Sequence, residues 1–230
     1  MTVTVYWACL EDEWMSAAPP ESVSKHFYKK NKIDTSSSMS NVGLCPGFNL
    51  NLKNLFTLKS LYDYEFSIMG NEVGTNTYDQ AFFEAHVGVR SLEKKLFAFR
   101  NRYIFFSDSS SLITTMYEYP YLEDNNITQN CIPITGMFDI GKWFRESEYT
   151  FYLKEDRDSF KIQQEEVYAY VRFHTDQDIR FQQFRYSNVF DDYQKDCYSL
   201  TKLHLQTFER YYPLMKTKKL ILKEILKSLV

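Results

Sequence analysis

The chain has 230 residues and a net charge of −3, with a pI near 5.9, so its overall field does not attract nucleic acid. Aromatics make up 17% of it, yet it has only seven glycines, too few for the phosphate loops and dinucleotide folds that need backbone freedom at positive φ. No apolar run approaches the ~18 residues of a membrane-spanning helix. The opening MTVTVYWACLEDEW lacks the basic head and continuous apolar core of a signal peptide, so a cytosolic protein is expected. Cys9, Cys45, Cys131 and Cys197 show no CxxC or zinc-ligand spacing and read as free thiols in a reducing compartment.

Along the chain, Thr2 to Ala8 alternates and is β-branched, which predicts a first strand. PESVSKHFYKK after Pro19 predicts a short helix, because proline is tolerated in a first turn. Asp34 to Gly47 is Ser-rich and loop-like. Phe56 to Ile68 predicts one or two strands, and Asp79 to Ala85 a short helix. LFAFR and YIFFS flank Asn101-Arg102 and predict a hairpin. Ser111 to Tyr119 and Ile132 to Phe138 read as strands, with a polar loop over Pro120 to Asn130 between them.

From Tyr149 to Phe190 the chain is a run of strands loaded with Tyr and Phe. The period of two separates Val167, Ala169, Val171 and Phe173, an aliphatic core face, from Tyr168, Tyr170, Arg172 and His174, a wetter one. An odd turn, Asp176-Gln177-Asp178, then predicts a hairpin that sets Phe173 against Phe181, Tyr170 against Phe184 and Tyr168 against Tyr186. In that register Tyr168, Tyr170, Arg172, Arg180, Phe184 and Tyr186 share one face. Such a face suits binding, by stacking or through guanidinium groups. It equally suits a solvated sheet face with arginines lying over rings.

Past Phe190 the spacing of Tyr193, Cys197, Leu200, Leu203 and Phe208 is helical, with Asn188 or Asp191 as a cap. Pro213 interrupts it, and LMKTKKLILKEILKSLV predicts a second helix, cationic along one side and broadly apolar along the other. The expected fold is mainly β (α+β): a β-sandwich or cupin-like jelly roll over residues 1–190, with two C-terminal helices over 191–230 packed on it as an appendage.

Two constellations bear on chemistry. His174-Thr175-Asp176 has the His-x-Asp form of non-haem iron oxygenases, with His204 as the downstream histidine and Arg210 after it. The helical setting of His204 departs from that family, and a hairpin end that happens to read HTD is the simpler account. Gly141-Lys142-Trp143-Phe144-Arg145 places a Trp-Phe pair after a rare glycine. It reads as a turn anchored in the core by Trp143, or as a binding hot spot of Trp143 and Arg145.

Several segments together resemble uncharacterised proteins of large tailed phages of marine bacteria: Tyr6-Trp7-Ala8-Cys9 with Trp14, Cys45-Pro46, the GKWFR segment, and Tyr170 to Thr175. The resemblance implies a phage or viral origin, with work in the virion or in the cytoplasm of the infected host cell. The expected function is non-enzymatic: binding a viral or host protein, or virion assembly, without a cofactor and with room for a homo-oligomer. The rival readings are an iron-dependent, cupin-like oxygenase using His174 and Asp176, and a single-stranded nucleic-acid-binding module.

Overall fold

A computed structural model describes residues 1–9, 19–31, 45–75, 79–100, 103–146, 148–201, 210 and 217–230. The protein is mainly β, an α+β fold with fourteen strands among those residues, more and shorter than the strand runs read from the sequence. They form four small sheets that all contribute one face to a single aromatic core. Among the described residues no helix is long and apolar enough to cross a membrane.

The first sheet has the order β14 (Asp178–Gln183), β1 (Thr2–Cys9), β7 (Tyr103–Ser107). Val3, Val5, Trp7, Tyr103 and Phe105 point into the main core. The alternate residues Tyr6, Ala8, Ile104 and Phe106 point outward, under α5 (Val189–Thr201) and α6 (Lys218–Lys227). Phe190, Cys197, Ile221 and Ile225 of these helices close a second cluster there, with Phe184. The chain end extends β14: Arg185 N–H donates to Ser228 O and Val230 N–H to Gln183 O.

The second sheet runs β10 (Gly136–Asp139), β8 (Ile113–Glu118), β13 (Val167–Phe173), β2 (Leu55–Lys59). Its outward face is covered by α1 (Val23–Lys30) and α2 (Pro46–Leu52), whose Val23 and Leu52 pack on Leu55, Val167 and Tyr170. The third sheet runs β5 (Val87–Ser91), β6 (Leu96–Phe99), β11 (Tyr149–Leu153), β9 (Cys131–Ile134). The fourth runs β12 (Ser159–Ile162), β3 (Tyr64–Met69), β4 (Glu72–Gly74). Two short helices fill corners. α3 (Gln80–His86) is capped by Asp79, which accepts from Phe82 N–H at 2.7 Å. α4 (Asn126–Asn130) lies in the stretch expected as a loop, fixed by a reciprocal cap between Asn125 and Thr128.

Two pairings differ from expectation. β6 and β7 are not a hairpin: β6 pairs with β5 and β11, and β7 pairs with β1. Every residue of β7 is buried, so that strand needs a core on both faces and is drawn under the C-terminal helices. The turn residues Asn101 and Arg102 lie outside the described residues. Nor do β13 and β14 pair. β13 already has β2 on one edge and β8 on the other, which leaves no slot, and β14 instead joins β1 in parallel, Val3 opposite Ile179 and Val5 opposite Phe181.

The alternation along β13 also breaks. A bulge between Val167 and Ala169 puts Tyr168 and Ala169 on the same side, in the main core, and leaves Val167 and Tyr170 on the other, under α1 and α2. Of the face expected to be wet, Tyr168 and Tyr170 are therefore buried, at 1% and 0% exposed, while Arg172 is half-buried and His174 exposed.

Candidate protein interface

In a strand the side chains alternate between faces, so each sheet's outward residues report what lies against them. On the β12–β3–β4 sheet they are Glu65, Ser67, Ser159 and Lys161, with Lys161 Nζ 3.0 Å from Glu65 Oε2. That is a solvated face. On the two helix-covered sheets the outward residues include Tyr6, Ile104, Phe106, Leu55 and Tyr170. Those are covered faces.

The β5–β6–β11–β9 sheet combines the two conditions. Phe97, Phe99, Tyr149 and Phe151 fill the core. The outward positions form two rows, Gly88–Ala98–Thr150–Ile134 and Ser91–Leu96–Tyr152–Ile132. In the first, Ala98 is 0% exposed, so the accessible part of the face lies toward Thr150, Tyr152, Ile132 and Ile134. Both rows are largely apolar, and no helix of the described residues packs on them. Ile132 and Ile134 are 54% and 42% exposed, and Met137 beside them on β10 is 55% exposed. Pro133 on the edge strand β9 has no N–H to offer a further strand, which favours contact with the face rather than the edge.

Charged clefts flank this strip. At one end, beyond Glu155 and Lys154, Tyr152 and Ile132 line a cleft of about 550 Å³ with Lys94 and Lys95. At the other, Ile134 and Thr150 line a cleft of about 330 Å³ that is walled by Phe138, Trp143, Arg145 and Glu148. Glu148 pairs there with Arg90 and Arg100.

The second cleft is built by one turn. The buried carboxylate of Asp139 accepts from Ser111 Oγ at 2.6 Å, Leu112 N–H at 2.9 Å and Gly141 N–H at 3.0 Å, and pairs with Lys142 Nζ at 2.8 Å. Burial pushes this carboxyl up, but Lys142, Ser111 and the Leu112 N–H outweigh it and hold it below the ordinary carboxylate value. A Cβ on Gly141 would lie 2.6 Å from Ser109 O, so this position accepts only glycine. The turn drives Trp143 and Phe144 into the cluster beneath α5 and α6. It leaves Arg145 half-buried, with its guanidinium 3.9 Å from the centre of the Tyr198 ring and 5.7 Å from that of Trp143.

The other residues singled out in the sequence fall in separate places. Tyr168 lies in the main core and Tyr170 under α1 and α2. Arg172 makes a two-pronged ion pair with Glu118, at 2.7 and 3.0 Å, and donates to Asn51 O. Arg180 is exposed on β14, in a different sheet from Arg172. Phe184 belongs to the cluster under the C-terminal helices, and Tyr186 packs against it while its hydroxyl donates to Asp191 Oδ1 at 2.7 Å. The structure thus brings together Trp143 and Arg145, keeps Phe184 with Tyr186, and separates that pair from Tyr168, Tyr170, Arg172 and Arg180 of the expected aromatic face.

His174 Nε2 lies 2.6 Å from Thr115 Oγ1, and Asp176 is exposed in the following bend. His204 lies outside the described residues. Among the described residues no three His, Cys, Asp or Glu side chains are grouped to hold a metal ion. Cys9, Cys131 and Cys197 are buried, Cys45 is exposed, and no disulfide joins any of the four.

The residues that sequence reasoning missed are Ile132, Ile134 and Tyr152. Their signal was present in the contrast between strands. LFAF, YTFYL and CIPI carry few charges at any position, whereas SFKI and YEFSIM set polar residues between core residues. No protein-family model, curated protein or solved structure matches the chain.

Proposed function

We propose that this protein acts by binding another protein through the outward face of the β5–β6–β11–β9 sheet, as a phage-encoded assembly or interaction factor of the virion or the infected cell. One observation carries the reading: among the four sheets, this outward face alone is apolar and lacks a covering helix among the described residues. Two neighbouring sheets meet the same need with amphipathic helices of the chain itself. The occupant that suits the third is therefore an amphipathic helix of a partner, apolar along the side that meets Tyr152, Ile132 and Ile134 and carrying both signs of charge at its rims. A strip ringed by both arginines and carboxylates selects register more than raw affinity.

The test is a paired capture with wild-type protein and Ile134→Asp as baits. A protein retained by wild type and lost with the variant, at equal melting temperature, supports the reading. The same proteins retained by both baits contradict it.

A further inference from the structure

Two tyrosine hydroxyls in the middle of the core have no hydrogen-bond partner among the described residues: Tyr149 Oη and Tyr168 Oη. Their side chains are 0% and 1% exposed, and their rings are in contact at 5.3 Å. A phenol buried in this way forfeits its hydrogen bonds to solvent, and phenylalanine would fill nearly the same space without that loss. Tyrosine at both positions calls for a polar companion.

The backbone around them is arranged to bring the two rings together. The bulge on β13 turns Tyr168 into the core beside Ala169. A second irregularity opposite it places an extra residue on β8, between the partners of Tyr170 and Arg172. There Tyr117 sits at φ 63°, in the left-handed region that a side chain enters at a cost of about 1–2 kcal/mol. Tyr117 meets Tyr149 at 5.4 Å and Tyr168 at 6.4 Å, and it also lines the cleft beside Trp143. Bulges that re-aim side chains and strained positions gather where an element serves a site.

We propose that the core holds an ordered internal water, bound between Tyr149 Oη and Tyr168 Oη at the inner side of Tyr117, behind the cleft. Water is the ligand of the right class because it is small and both donates and accepts, and an internal water joins otherwise unmatched polar atoms in just such settings. Burial pushes both phenols well above their ordinary value.

The sign of a phenylalanine substitution decides. With a bridging water, Tyr149→Phe and Tyr168→Phe each break a hydrogen bond and lower the melting temperature by about 2–4 °C. The double variant then falls by less than the sum, because the two hydroxyls share one ligand. Magnetisation transfer from a long-lived water to the Tyr149 and Tyr168 ring protons is expected in the wild type, and its loss in the double variant. A melting temperature that rises or stays level in either single variant overturns the proposal. So do additive losses, or the absence of transfer from water in the wild type.

Discussion

The β14–β1–β7 sheet and the β5–β6–β11–β9 sheet use the same inner surface and treat their outer surfaces differently. The first presents Tyr6, Ala8, Ile104 and Phe106 and places α5 and α6 over them. The second presents Leu96, Tyr152, Ile132 and Ile134 with no helix of the described residues above. Apolar outward residues cost nothing in stability when left wet, since the unfolded chain is wet as well. They also contribute nothing to it. Under helices they stabilise the fold by ~25 cal/mol per Å² of apolar surface removed from water. Outward apolar residues thus serve folding on one sheet and stay at the surface on the other.

Substitutions separate the two roles, and the covered sheet supplies the largest effect. Phe106→Ala removes a fully buried ring that packs on Phe144 at 5.4 Å. It is expected to cost about 3–5 kcal/mol by denaturant unfolding. A loss under about 1 kcal/mol would mean that the helices do not rely on this face.

Asp139→Asn ranks next, because the turn that aims Trp143 joins the two regions. Losing the charge on a carboxylate with four partners is expected to cost about 1.5–3 kcal/mol at neutral pH. The carboxyl is held below its ordinary value of 3.8 in the folded protein. Its contribution is therefore complete above that value and disappears as the pH falls through the lower, folded value. Unfolding measured against pH should show wild type and Asp139→Asn converging only on the acid side of pH 3.8. A constant gap down to the acid limit would contradict the assigned direction.

On the open sheet Ile134→Asp is expected to change stability by less than about 0.5 kcal/mol, while removing partner binding. Smallest of all is Glu65→Gln on the solvated outward face of β3. Breaking its exposed pair with Lys161 should alter stability by about 0–1 kcal/mol, and partner binding should be unchanged. If Glu65→Gln and Ile134→Asp weaken binding equally, the distinction between the two faces fails.

Much of the fold was legible because local chemistry encodes it. Asp79 starts α3 through its side chain, the alternation in SFKI matches a half-solvated strand, and GKWFR does anchor Trp143 in the interior. What was not legible depends on distant strands. The hairpin pair expected of Phe173 and Phe181 does not form, although their rings do touch, with centres 5.7 Å apart. They meet through the core from different sheets, because β2 and β8 occupy both edges of β13 while β1, from the far end of the chain, takes β14. The bulge at Tyr168 leaves no local mark either, since tyrosine suits a strand at either parity. The open face was hidden for a related reason. Ile134, Thr150 and Ala98 become neighbours only when three segments are placed side by side.

The account rests on the outward face of the β5–β6–β11–β9 sheet being the surface that a partner covers. A photo-crosslinking residue placed at position 134, and separately at Lys195 on the exposed side of α5, tests this in the cells that make the protein. One discrete crosslinked species is expected from position 134, abolished by Ile132→Asp in the same chain, and none from position 195. Crosslinks of equal yield from both positions, or none from 134, would contradict it.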